Sequence, residues 1–177
     1  MSRAVPAALA VAMAVVLGAC TSPSTAMPRC QADGRLAVVA QSVPSASLVP
    51  CVKSMPTGWS FGGFDVESGR TRFWLDSDRA PRAVEVELKR RCDVSRATRI
   101  RSEEEGVRRY RLLRSLSPRF AGTTYDVFPG GCVAYRYEFD KGLHILLLPE
   151  FDQSVELFPR QALREEVRRD LGFDLDP

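Results

Sequence analysis

The sequence contains no asparagine, one histidine (His144) and three lysines against 22 arginines. Without asparagine there is no N-glycosylation sequon, and no asparagine side chain is present to stabilise an oxyanion or to orient a catalytic histidine. Catalysis of the Ser-His-Asp or Cys-His kind would have to use His144. We attribute the excess of arginine over lysine to a GC-rich genome and draw no functional conclusion from it.

Long apolar runs are scarce, and the one that stands out lies at the amino terminus. Residues 4–19 carry no charge, are rich in alanine, follow Arg3 and contain Pro6. A membrane-spanning helix needs about 20 apolar residues, so a run of 16 does not favour a permanent span. A basic start, a short apolar core and small residues before a cleavage point are typical of a secretory signal. We therefore expect residues 1–19 to be a signal peptide.

The end of this run carries a more specific motif. Leu17-Gly18-Ala19-Cys20 resembles the lipobox of bacterial lipoproteins. The resemblance implies that Cys20 becomes the lipidated first residue, with acyl chains such as palmitate holding the protein on the extracytoplasmic face of the cell membrane. Residues 20–29 are rich in Ser, Thr and Pro and predict a polar tether. The alternative is an ordinary secretory signal that is cut nearby and leaves a secreted protein without lipid.

Four cysteines remain once Cys20 is assigned to lipid: Cys30, Cys51, Cys92 and Cys132. An even number in an exported domain predicts two disulfides, although four cysteines permit three pairings. The order of the predicted elements favours Cys30–Cys51 and Cys92–Cys132. The competing zinc site would need C-x-x-C or H-x-x-x-H spacing, which the sequence lacks. We expect no metal and no other cofactor.

Hydrophobic patterning predicts one α+β domain over residues 30–177, with an antiparallel sheet and flanking amino-terminal and carboxy-terminal helices. Asp33 is a candidate N-cap for a first helix, which Pro44 would end. Pro159 suits the first position of a last helix, and Gly172 suits its end. Between Pro159 and Gly172, apolar residues recur every four positions, at Leu163, Val167 and Leu171.

Strand signals occupy the middle of the chain. Residues 84–89 alternate between apolar and charged side chains, which predicts a half-buried strand with a wet outer face. Residues 143–157 are ambiguous, since an apolar run is followed by a proline that forces a boundary or a kink. Two β-hairpins are predicted, with arms at residues 59–66 and 70–75 and at residues 125–128 and 132–139.

Several segments resemble a family of uncharacterised exported proteins of high-GC Gram-positive bacteria. The similarity covers most of residues 36–175 and marks a family, but no activity comes with it, so no functional residue is carried over. The segments are AQSVPSASLVPC (40–51), GWSF (58–61), WLDSDR (74–79) and VFPGGCV (127–133).

The candidate catalytic residues are few. Asp76 and Asp78 end a predicted strand and could serve as acid and base or hold a cation, with His144 as the remaining partner. The structural interpretation is favoured for all three, because Asp at a strand end usually makes a turn and a lone histidine is usually structural.

Aromatic side chains suggest a binding role. Trp59, Phe61, Phe64, Phe73 and Trp74 cluster within 16 residues, beside a glycine pair that predicts a β-bulge. Strand parity places Phe73 inward and Trp74 outward. Trp74 is therefore the candidate ligand-binding aromatic.

Charge is divided unevenly along the chain. Residues 79–119 hold 13 basic and 6 acidic side chains, a net charge of +7, whereas residues 138–177 hold 5 basic and 10 acidic, a net charge of −5. A basic block on an exported protein could face anionic lipid, a wall polymer or an envelope protein, and we do not expect nucleic acid. The favoured alternative is that the two segments partly neutralise each other in the fold.

These observations predict a lipid-anchored cell-envelope protein with a non-enzymatic binding or interaction role. Its predicted membrane partner is lipid, contacted through acylated Cys20. The alternative is a hydrolase of cell-wall or lipid substrates, which would need Asp76 or Asp78 close to His144.

Overall fold

A computed structural model describes residues 27–176, so Cys20 and the signal lie outside the described part of the chain. Within this range no helix is long and apolar enough to cross a membrane. The described elements are α1 (Gly34–Ser42), β1 (Leu48–Val52), β2 (Trp59–Glu67), β3 (Arg70–Ser77), β4 (Ala80–Lys89), β5 (Thr98–Ile100), β6 (Arg108–Ser115), β7 (Arg119–Phe128), β8 (Gly131–Asp140), α2 (His144–Asp152), β9 (Val155–Pro159) and α3 (Arg160–Leu171).

Seven of the strands form one antiparallel sheet in the order β2-β3-β4-β8-β7-β6-β5. The remaining two, β1 and β9, pair antiparallel in a separate ribbon. This ribbon, α1, α2 and α3 pack on one face of the large sheet, which we call the inner face, and the opposite side is the outer face. The predicted α+β class, with an antiparallel sheet and helices near both ends, is confirmed.

Both terminal helices begin and end near the predicted residues. The side chain of Asp33 accepts hydrogen bonds from the backbone N–H groups of Arg35 and Leu36, as an N-cap does. Gly172 ends α3 in the left-handed conformation, with φ of 72°. The helix α3 begins one residue later than predicted, at Arg160. Pro159 is the last residue of β9 and the N-cap of α3, not its first helical residue.

The first hairpin contains the predicted glycine bulge, since the β2–β3 register shifts between Phe61 and Gly63. Phe73 and Leu75 are fully buried on the inner face. The second hairpin, β7–β8, is also confirmed, and its inward row on β8 is buried. That row consists of Val133, Tyr135, Tyr137 and Phe139.

The wet outer face predicted for β4 is wrong at one position. Glu87 is only 4% exposed. It lies between Lys89 and Arg136, whose side-chain nitrogens donate to its carboxylate at 3.0 and 2.6 Å. Burial alone would raise the pKa of Glu87, but these basic groups outweigh it and hold the pKa below its usual value. Alternation predicted the direction of the side chain correctly and missed the ion pairs that cover it.

The ambiguous segment at 143–157 forms a helix and then a strand. The helix α2 continues through Pro149. Proline has no N–H group, so Pro149 leaves the carbonyl of Ile145, four residues earlier, without its helical hydrogen bond. Because Ile145 is exposed, water can reach this part of the helix. The strand β9 was not predicted, because its pairing with β1 is set by residues about a hundred positions away in sequence.

Both expected disulfides are present, Cys30–Cys51 and Cys92–Cys132. The first attaches the beginning of the described chain to β1. The backbone N–H of Val52 donates to the carbonyl of Pro28 at 2.8 Å, and Met27 packs on the core. The folded part thus includes residues 27–29, which the sequence had assigned to the tether.

Candidate functional site

The two candidate aspartates have structural partners at the carboxyl-terminal end of β3. One carboxylate oxygen of Asp76 accepts a hydrogen bond from the backbone N–H of Arg82 at 2.6 Å, which closes the β3–β4 turn. Asp78 lies in that turn and pairs with Arg79 at 3.3 Å. Arg79 also pairs with Glu150 of α2 at 2.6 Å. These contacts fit the turn-forming role that the sequence favoured.

His144 lies elsewhere. Its ring stacks on Phe120 of β7, with ring centroids 4.2 Å apart, on the inner face. Asp76 follows inward-facing Leu75 and so lies on the outer face. Strands β3 and β7 are separated by β4 and β8, a distance of roughly 14 Å at about 4.8 Å per strand. The structure therefore does not bring together the residues that the hydrolase alternative needs.

Trp74 points to the outer face, as predicted, and is half-buried there. Its indole lies directly over Gly62 and Gly63, where an added Cβ would come within 2.5 and 2.3 Å of the ring. The guanidinium of Arg82 stacks on it at 4.3 Å. Protein groups thus account for its packing, and a ligand-binding role for Trp74 stays a prediction.

The charge asymmetry is reduced by contacts between the two segments. A guanidinium nitrogen of Arg119 lies 3.3 Å from a carboxylate oxygen of Glu138. The corresponding distance between Arg79 and Glu150 is 2.6 Å. The edge of the sheet formed by β5 and β6 keeps its positive charge. Within residues 27–176, Arg99 of β5 and Arg108 of β6 form no ion pair.

A different site lies on the inner face, where α2 and the start of β9 stand over β6, β7 and β8. It is a cavity of about 340 Å³, which we call the α2 cavity. Its apolar wall comes from α2 and β9, and its polar wall from the inward row of the three strands. The apolar wall consists of Leu148, Phe151 and Val155, and the polar wall includes Arg109, Arg111, Thr124, Tyr135 and Tyr137.

The floor of the α2 cavity is an ion pair between neighbouring strands. Arg109 donates from Nε and Nη2 to the two carboxylate oxygens of Asp126, at 2.6 and 2.7 Å. The side chain of Asp126 is 0% exposed. Hydrogen bonding to this carboxylate raises the pKa of Arg109. Burial, with the charge of Asp126, holds the pKa of Tyr135 well above its usual range.

Tyr137 is the least satisfied group of the wall. Its side chain is only 3% exposed, and its hydroxyl has no hydrogen-bond partner within the described chain. Burial raises its pKa, against the opposing effects of the Thr124 hydroxyl, which lies close to it without reaching good hydrogen-bond geometry, and of the charge of Arg111. A buried hydroxyl without a well-formed hydrogen bond costs free energy, so Tyr137 is the polar group of this wall that its protein neighbours satisfy least.

Asp152 stands on the opposite wall, at the end of α2. Desolvation raises its pKa, even though Arg109 and Arg111 attract its negative charge. Asp152 is nevertheless an exposed residue, and its side chain is accessible from solvent. At the mouth the loop before β6 adds Arg101, Glu103 and Glu104.

Two larger depressions are more open to solvent. One of about 400 Å³ is mainly apolar and lies between α1 and the β2–β3 turn, and one of about 460 Å³ lies beside Cys92–Cys132. Of these three cavities in the described part of the chain, the α2 cavity is the one that combines a fixed buried ion pair with a buried hydroxyl that has no partner. Among the described residues, no group of three or more His, Cys, Asp or Glu side chains is arranged to hold a metal ion.

The sequence reasoning missed this site. The β7–β8 hairpin predicted Tyr135 and Tyr137 only as core residues. The available signal was parity: Arg109, Arg111 and Asp126 occupy inward positions of strands, where charged side chains are rare. No protein-family model, curated protein or solved structure matches the chain.

Proposed function

We propose that this protein is a lipid-anchored cell-envelope protein that binds a small polar ligand in the α2 cavity. The observation that carries the binding role is the buried, unpaired hydroxyl of Tyr137 on the wall of a cavity whose floor is held by Arg109 and Asp126. Small-molecule sites are typically concave, with an apolar lining and a few fixed polar groups, and range over about 300–1,000 Å³. The α2 cavity meets this description at the lower end of the range.

The location rests on the lipobox resemblance at Cys20 and on the two disulfides. Disulfides persist in oxidising compartments outside the cytoplasm, so Cys30–Cys51 and Cys92–Cys132 support export. The short sequence between Cys20 and Met27 would place the domain next to the membrane. Anchoring at the extracytoplasmic face follows if Cys20 is acylated.

A binding role is favoured over hydrolysis by the positions of the candidate residues. His144 stacks on Phe120, while Asp76 stabilises the β3–β4 turn on the outer face and Asp78 lies in that turn, paired with Arg79. Hydrolysis through these groups would require them within hydrogen-bond reach of one substrate.

The basic edge of the sheet supports a second contact, with anionic lipid. Arg99 and Arg108 are exposed on the outer face of β5 and β6 and form no ion pair with the residues between 27 and 176. Each arginine near an anionic surface contributes about 1 kcal/mol of attraction. A wall polymer or an envelope protein with negative charge would use the same side chains.

The anchor is tested by expressing the full chain as Cys20→Ser in a bacterium that processes lipoproteins, with Ser22→Ala as the control. We expect the control to incorporate a labelled fatty acid and to stay in the membrane fraction, and Cys20→Ser to do neither. Retention and labelling of Cys20→Ser at the control level would contradict the anchor. Binding in the α2 cavity is tested on the folded domain, residues 27–177, by titration with small polar compounds.

A further inference from the structure

Apolar side chains are exposed together at one corner of the domain. Within residues 27–176 seven large apolar side chains are strongly exposed, and four of them belong to the β6–β7 hairpin and the first turn of α2. We call these four the apolar tip: Leu113, Leu116, Ile145 and Leu146, which are between 47% and 69% exposed. Scattered exposed leucines are ordinary, but a contiguous group of them marks an interaction surface.

Backbone and ring contacts hold the two parts of the apolar tip together. The backbone N–H of Lys141, just before α2, donates to the carbonyl of Pro118 in the β6–β7 turn at 3.1 Å. Phe120 at the start of β7 stacks on His144, the first residue of α2. The turn that carries Leu116 therefore lies against the end of α2 that carries Ile145 and Leu146.

The small size of the apolar tip argues against a protein partner. Its four residues together expose about as much area as two fully exposed leucines. A specific protein interface involves about 20–30 residues on each side, which is far more than this corner offers. A bilayer makes no such demand, because a few aliphatic side chains can enter the boundary between headgroups and acyl chains on their own.

The charges around the apolar tip favour an anionic membrane. Arg114 and Lys141 are exposed beside it and form no ion pair with any residue between 27 and 176. The nearby acids are Glu138 and Asp140, which lie 3.3 and 3.9 Å from the guanidinium of Arg119. Exposed apolar side chains bordered by basic ones are typical of surfaces that bind anionic lipid.

The start of the folded chain lies within reach of the same membrane. The N–H of Val52 donates to the carbonyl of Pro28, and Val52 pairs with Val155, which closely follows α2. The helix has nine residues and is therefore about 14 Å long, and the apolar tip lies at its other end. Met27 follows Cys20 by seven residues, which span at most about 25 Å. An acylated Cys20 and the apolar tip can thus enter one bilayer.

Resting on the proposed lipid anchor, we propose that the apolar tip inserts into an anionic bilayer and makes a second membrane contact. Leu116, Ile145 and Leu146 enter the acyl boundary, and Arg114 and Lys141 contact lipid phosphates. This contact is apolar at its centre, unlike the purely electrostatic one proposed for the basic edge. Two attachment points fix the orientation of the domain, and they hold α2 and the α2 cavity next to the membrane surface.

Insertion is tested with a tryptophan reporter in the chain from residue 20 onward, carrying Cys20→Ser so that no acyl chain is present. The vesicles contain phosphatidylcholine with about a third phosphatidylglycerol, which is anionic. In Leu116→Trp, vesicles with brominated acyl chains should quench the added fluorescence. Leu171→Trp, at the end of α3, is the matched control and should show no quenching beyond the parent chain. Equal quenching in the two variants, or none in either, would overturn insertion.

Vesicle flotation measures what the side chains contribute. Combining Leu116→Gln with Ile145→Gln should lower the partition coefficient about tenfold or more, because two aliphatic side chains no longer leave water. Leu171→Gln replaces a leucine that is 43% exposed elsewhere and should bind as the parent does. Arg114→Ala and Lys141→Ala should each weaken binding to the anionic vesicles about fivefold. All these positions are exposed, and thermal melts check that each variant is folded.

The outcomes separate insertion from the lipid anchor. If the double glutamine variant partitions as Leu171→Gln does, insertion is wrong, while acylation of Cys20 stands or fails on its own labelling test. If fatty-acid labelling of Cys20 fails but the unacylated chain binds vesicles through the apolar tip, the anchor is wrong and the membrane contact remains. If the parent chain ignores vesicles and forms a dimer in sedimentation that the double variant abolishes, the apolar tip is a contact between copies and the proposal is overturned.

Discussion

Replacement of Tyr137 by phenylalanine should make the unliganded domain more stable. The ring is retained in its buried position, stacked 5.8 Å from Phe120 and Phe139, and only the unpaired hydroxyl is removed. A buried polar group without a partner costs about 1–3 kcal/mol, so Tyr137→Phe should raise the free energy of unfolding by an amount in this range. For a domain of this size each kcal/mol raises Tm by about 2–4 °C.

The assay is urea denaturation of residues 27–177 with disulfides intact, followed by tryptophan fluorescence. Tyr110→Phe is the control, because Tyr110 lies half-buried on the outer face and should change stability by less than about 0.5 kcal/mol. A loss of stability in Tyr137→Phe would mean that the hydroxyl already has a partner inside the protein. That result would remove the main reason for regarding the α2 cavity as a ligand site.

Three further changes follow from the packing. Arg109→Ala leaves the carboxylate of fully buried Asp126 without its partner and should cost about 3–5 kcal/mol in urea denaturation, whereas Asp126→Leu combined with Arg109→Leu should recover most of that loss. Glu87→Gln should flatten the loss of stability in acid: a carboxyl whose pKa is lowered by folding stabilises above its unfolded pKa of about 4.3, and this contribution disappears as the pH falls through the lower folded value. Denaturation between pH 3 and pH 7, roughly the range over which a carboxyl titrates, measures the difference, and equal slopes for both proteins would contradict it. Replacing Cys92 and Cys132 by alanine should cost about 4 kcal/mol, since their bridge spans 40 residues, and alkylation of the unreduced, unfolded wild type should find no free thiol at either position.

The sequence alone predicts those features whose deciding contacts involve neighbouring residues, such as a helix cap and a β-bulge. Asp33 caps α1 through its own side chain, and the glycine pair of β2 lies at the bulge in the pairing of β2 with the next strand. The pairing of Cys92 with Cys132 could be anticipated because both lie at the same end of the adjacent strands β4 and β8. In each case the deciding contacts are close in sequence or follow from strand order.

The ligand site could not be predicted in the same way. It exists because α2 returns over the inward row of β6 to β8, and nothing within the sequence of α2 determines which strands it covers. Alternation does place Arg109, Arg111 and Asp126 inward, but it does not reveal that two of them neutralise each other and the third is left unpaired. Phe151 of α2 packs edge-on against Tyr135 of β8, with ring centroids 5.5 Å apart, and helical periodicity alone does not predict that partner.

Whether the α2 cavity is a ligand site is tested most directly by protein-observed NMR of residues 27–177, titrated in turn with glycine, L-alanyl-L-alanine, maltose and glucose 6-phosphate. Saturable shifts should centre on Tyr135, Tyr137 and Phe151 and should weaken in Tyr137→Phe. The absence of shifts with every one of these compounds, or shifts centred on the groove between α1 and the β2–β3 turn, would contradict the assignment of the site.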